Sequence, residues 1–155
     1  MKGKRFKILR SCVTLVLSLC MIVGLMPGLI YTAKAEEAKK DIFNLVERNY
    51  DAIVGACENK DTAALLSIDG ITNVEVVDGY LLVYCKGAGI APSSQDYGFY
   101  YSAENSPVAV DCNLDIVSKA NGLTPNGNGY QCIVDGNTFF TEHIKGNIYF
   151  YSNVY

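Results

Sequence analysis

The chain has 155 residues, with 13 basic and 16 acidic side chains and a net charge of −3. Six of the basic residues (Lys2, Lys4, Arg5, Lys7, Arg10 and Lys34) and none of the acids precede Glu36. From Glu36 onward seven positive charges therefore face sixteen negative ones, a net charge of −9. Such a balance excludes the clustered Lys and Arg that nucleic acid and anionic membrane surfaces require, so neither is expected as a partner.

The first 35 residues read as a secretion signal. A positive stretch from Lys2 to Arg10 precedes an apolar run from Cys12 to Ile30, and Ala33-Lys34-Ala35 supplies the small-x-small cleavage pattern. Pro27 and Gly28 interrupt the run near its end, which favours removal over a retained membrane anchor. Cys20 follows Leu19, where a lipoprotein would place a small residue. The expected organisation is thus 1–35 as signal peptide and 36–155 as one secreted domain. That domain would be bacterial and would work outside the cell or on the envelope exterior, without stable membrane insertion after cleavage.

Cleavage leaves Cys57, Cys85, Cys112 and Cys132, an even number in an exported chain, which predicts two disulfides. The favoured pairing is Cys57–Cys85, pinning a helix end to a strand, with Cys112–Cys132 closing a flexible loop. The shortest gap between these cysteines, twenty residues, does not fit the close ligand pairs of a zinc site. No metal and no cofactor is expected.

From Glu37 to about Cys57, Ile42, Leu45, Val46, Tyr50, Ile53, Val54 and Cys57 recur at the spacing of one buried helical stripe. A short second helix should follow, capped by Asp61 or Thr62 and stopped at Asp69-Gly70. The rhythm then changes to period two. Thr72 to Val77 and Tyr80 to Lys86 flank Asp78-Gly79 as a hairpin, and the second strand, apolar on both faces, should be central. Gly87 to Asp96 reads as a loop, and Tyr97 to Ser102 and Pro107 to Cys112 as another hairpin. Asn113 to Gly129 is rich in Asn and Gly, with one helical turn expected at Leu114 to Lys119. Tyr130 to Val134, Thr138 to Ile144 and Ile148 to Tyr155 then form three strands joined by tight Gly turns.

This order predicts an α+β fold, an N-terminal helix packed on a curved antiparallel sheet of about five to seven short strands. In element order alone it resembles the cystatin-like and NTF2-like outlines. The Gln-x-Val-x-Gly hairpin of secreted cystatin inhibitors does not occur here.

Chemistry-bearing residues are sparse. His143 is the single histidine, and strand alternation sets it on the face opposite Glu142. These two are the candidates for a small extracellular hydrolase. Asp69, Asp78 and Asp135 each precede Gly and are explained as turn residues. The compositional excess is tyrosine: 11 in the chain, with no Trp, several in the runs Tyr97-Gly-Phe-Tyr-Tyr101 and Tyr149-Phe-Tyr151. Tyrosine joins a stiff apolar ring to a polar tip and suits protein and sugar contacts. The expected function is therefore non-catalytic binding of an extracellular protein or glycan through Tyr97, Tyr101, Tyr149 and Tyr151. Tyr149 and Tyr151 should point away from the helix and be partly exposed, on the argument that Ile148 and Phe150 take the core side. A secreted inhibitor or immunity-type protein would share this lack of chemistry.

Overall fold

The computed structural model describes residues 34–77, 79–90, 93–110, 122–134 and 136–155. The chain divides into two compact units, Met1–Glu37 and Ala38–Tyr155. Of the first, 34–37 are described, as helix; the rest of the expected signal, Cys112 and the helical turn expected at Leu114 to Lys119 lie outside the described residues.

The second unit is α+β. Helix α1 covers 38–48, α2 Tyr50–Glu58 and α3 Thr62–Leu66. Where one uninterrupted helix is expected, Asn49 separates α1 from α2. Its φ of −116° departs from helical values, and its side-chain amide donates to the Leu45 carbonyl at 2.9 Å. The Asn49 backbone N–H donates to the same carbonyl at 3.1 Å, so side chain and backbone share one acceptor, a local competition that disfavours Asn within helices. Asp61 caps α3 as expected, its Oδ1 accepting from the Ala64 N–H at 2.9 Å.

Seven strands follow: β1 Asn73–Val77, β2 Tyr80–Ile90, β3 Ser93–Tyr101, β4 Thr124–Asn126, β5 Gly129–Val134, β6 Asn137–Lys145 and β7 Ile148–Val154. They form one antiparallel sheet in the order β1-β2-β3-β7-β6-β5-β4. The centre of the sheet is thus β7, the last strand in the chain, while β2 is interior but next to the edge. Two expectations are corrected here. Gly87–Ile90 and Ser93–Asp96 are strand where a loop is expected: β2 and β3 pair from Gly87 opposite Asp96 to Ile90 opposite Ser93. Backbone ladder hydrogen bonds pair this extension, and they need no particular side chain, so a run of small residues does not end the strands. The second concerns the partner of β3 beyond β2, which is β7 and not the segment from Pro107; residues 107–110 form no strand.

The helices cover one face of the sheet. Ile42, Val46, Ile53 and Leu65 are buried against that layer, which includes Leu81, Val83, Phe99, Ile148 and Phe150, and Phe43 meets Phe150 with ring centroids 6.1 Å apart. Lys39 pairs with Glu142 and sits 5.7 Å from the centre of the Phe43 ring. The opposite face carries Leu82, Tyr100, Phe139, Thr141, Tyr149 and Tyr151, and it is buried as well. Residues 102–110 lie over it, with Val108 and Val110 packed into the cluster around Tyr100 and Tyr149. Gly98 makes room for Tyr151: a Cβ there would overlap both the Val83 carbonyl oxygen and the Tyr151 ring.

Candidate functional site

The four tyrosines singled out by composition do not form a site. Register puts Gly98 opposite Tyr151 and Tyr100 opposite Tyr149, so Tyr97 and Tyr101 point to the helix side while Tyr149 and Tyr151 point to the other. Tyr149 and Tyr151 do face away from the helices, as expected, but they are 6% and 0% exposed. Tyr149 stacks on Tyr100 at 5.5 Å and Tyr151 on Phe139 at 6.3 Å. Tyr97 is buried too; Tyr101 alone of the four is half-exposed. The expectation of exposed rings fails because β7 is central and its outer face has a cover of its own.

The acid–base candidates are engaged separately. Glu142 is held by Lys39 under the helices. His143, across the strand, has its Nε2 2.8 Å from the Gly146 carbonyl oxygen and its ring edge against Tyr149. Adjacent strand residues point to opposite faces, so the two cannot act on one substrate atom.

The expected Cys57–Cys85 disulfide is absent; Cys57, Cys85 and Cys132 are buried free thiols. The two line different clefts, Cys57 with Leu81 and Cys85 with Lys86. Burial pushes both thiols from their usual 9.0 up to about 12. They are therefore poor nucleophiles at neutral pH. The proposed partner of Cys132, Cys112, is outside the described residues. Among those described, no three His, Cys, Asp or Glu side chains converge as a metal site would require, and no helix is long and apolar enough to cross a membrane.

Among the described residues three surface clefts stand out. One, about 600 Å³, runs beside α1; its Asp41 pairs with Lys86 and its Glu47 with Lys145, while Arg48 donates to the Asn44 carbonyl at 3.2 Å. In a second, about 520 Å³, Glu75 accepts hydrogen bonds from Asn73 and Tyr84. The third, about 450 Å³, differs in setting two half-exposed tyrosines beside Lys60 and Glu104, which have no ion-pair partner among the described residues. It opens where the end of α2, the turn into β2 and the end of β3 meet. Buried Leu81 and Cys57 form its apolar base, and half-exposed Tyr80 and Tyr101 line it. Glu58, Lys60 and Glu104 surround them, all exposed. The volume suits a small ligand or a protruding side chain.

Local sequence builds this cleft. Helix α2 ends in a Schellman pattern, with the Asp61 N–H donating to the Ala56 carbonyl at 2.8 Å and the Lys60 N–H to the Cys57 carbonyl at 3.1 Å. That motif needs a left-handed residue, here Lys60 at φ 54°. Lysine in place of glycine costs about 1 kcal/mol there and sets an ammonium beside the cleft. Tyr80 is braced edge-on against Tyr100 with centroids 6.5 Å apart. The Tyr101 hydroxyl accepts from Asn147 Nδ2 at 3.3 Å and approaches Glu58 Oε1 at 3.5 Å. Among the described residues the side chains of Lys60 and Glu104 have no ion-pair partner. Sequence reasoning passed over Lys60, Tyr80 and Glu104. The available signal was a helix end, Asn59-Lys60-Asp61, with no Gly to take the left-handed position. Compared with protein-family models, curated proteins and solved structures, the chain matches none of them.

Proposed function

We propose that this chain is a small exported binding domain, freed of residues 1–35 on secretion, that holds its ligand without catalysis in the Tyr80–Tyr101 cleft. The observation that carries this reading is the cleft's lining: two half-exposed tyrosines, two exposed carboxylates and one ammonium around an apolar base. Binding sites of this kind place a few polar groups around apolar and aromatic surface. The absence of chemistry in the reading rests on how the reactive side chains are used. Glu142 is neutralised by Lys39, His143 is bonded to the Gly146 carbonyl, and the Cys57 thiol beside the cleft stays protonated. The sign of the mature charge, −9 from Glu36 onward, keeps nucleic acid and anionic lipid out of consideration.

The test is an NMR titration of the exported protein with soluble peptides and oligosaccharides. Shift changes should concentrate at 79–81 and 101–104, with the added compound recovered chemically intact. Changes confined to other surfaces, or turnover of the added compound, would refute the reading.

A further inference from the structure

We infer that the occupant of this cleft is a cationic group on an apolar stem, a primary ammonium or guanidinium such as a Lys or Arg side chain presents. The inference rests on the cleft being the binding site and adds the charge and shape of what enters it. Three observations support it. First, the exposed carboxylates of Glu58 and Glu104 outnumber the single ammonium of Lys60. Second, Tyr80 and Tyr101 line the same space, and the negative faces of aromatic rings attract cations. Third, the base is Leu81 and Cys57, both buried and apolar, which matches the methylene stem of a long cationic side chain better than a compact ion. The surrounding charge of −9 from Glu36 onward favours the approach of any cation.

Lys60 gives the inference a sign that can be read. It opposes a cationic ligand, would assist an anionic one, and offers a neutral sugar no more than a hydrogen-bond donor. Lys60→Gly also relieves the left-handed backbone at φ 54°, so this variant should fold at least as well as the parent. Glu104→Gln removes a carboxylate that has no ion-pair partner to lose among the described residues.

Calorimetric and NMR titrations of the exported protein would use tetralysine, spermidine, tetraglutamate and the neutral sugar cellotetraose as probes. Tetralysine should bind and perturb 79–81 and 101–104. Lys60→Gly should tighten that binding, and Glu104→Gln weaken it, each roughly threefold, the scale of one exposed charge pair. Spermidine binding equally well would show that the cation alone suffices, whereas tetralysine without spermidine would point to peptide; both outcomes support the inference. Cellotetraose or tetraglutamate perturbing the cleft while tetralysine does not would overturn the cationic occupant and leave the cleft as the site. Looser tetralysine binding in Lys60→Gly would also overturn it. A cleft unmoved by all four probes would overturn the inference and the binding reading together.

Discussion

The backbone N–H of Val108 donates to the hydroxyl of Tyr100 at 2.9 Å, and that bond ties the segment after β3 across the sheet face opposite the helices. The same hydroxyl lies 2.9 Å from Thr141 Oγ1 on β6, and Thr141 Oγ1 donates to the Phe150 carbonyl at 2.8 Å. Nearby, the Tyr149 hydroxyl donates to Asn105 Oδ1 at 3.2 Å. Buried tyrosine hydroxyls need partners, and the covering segment supplies them to Tyr100 and Tyr149. A face that would otherwise be a wet aromatic surface thus becomes a second core.

One consequence concerns Tyr149 and Tyr151. Changing both to Ser should prevent folding rather than abolish contact with a partner. Truncating one large buried aromatic side chain costs about 3–5 kcal/mol, and two such losses reach the whole stability of a typical domain. Circular dichroism and thermal melting check this; a folded double variant would mean that the cover over this face is loose.

The thiols offer a second check. Iodoacetamide under native conditions should leave Cys57 and Cys85 unmodified, since both are buried and held protonated. In denaturant both should react. Non-reducing peptide mapping should give no Cys57–Cys85 peptide, and finding one would require the end of α2 and the middle of β2 to move together.

Alkaline pH should destabilise the domain, and the sign follows from burial. Cys57 and Cys85 rise from 9.0 to about 12 on folding, and Tyr100 from 10.0 to about 12. Above pH 9 the unfolded chain releases protons that the folded one retains. The unfolded state then binds fewer protons, and stability falls with rising pH. These groups contribute fully below pH 9, and their contribution is lost progressively up to about pH 12. Each has a limiting slope of about 1.4 kcal/mol per pH unit. Melting temperatures from pH 8 to 11 should decline, less steeply in Cys57→Ala/Cys85→Ala. A flat profile would show that the thiols ionise freely in the folded protein.

Local pattern alone determined much of the fold. The helical stripe from Ile42, the Asp61 cap and the strands ending in β5, β6 and β7 follow from period, capping chemistry and Gly turns, each a property of a few neighbouring residues. The α+β class follows from their order. Two further outcomes were decided only by tertiary structure. The first is the position of β7 between β3 and β6, a pairing of residues some fifty apart that no local signal encodes. Once central, its alternation ceases to mean inside and outside: Ile148 and Phe150 meet the helices, while Tyr149 and Tyr151 meet residues 102–110. The second is the candidate cleft. Glu58, Lys60, Tyr80 and Glu104 come from three separate elements. Their charges look like ordinary surface in the sequence because solvated Glu and Lys carry no periodic signature. Packing of α2 against the ends of β2 and β3 brings them around one apolar base, and that convergence is a property of the assembled core.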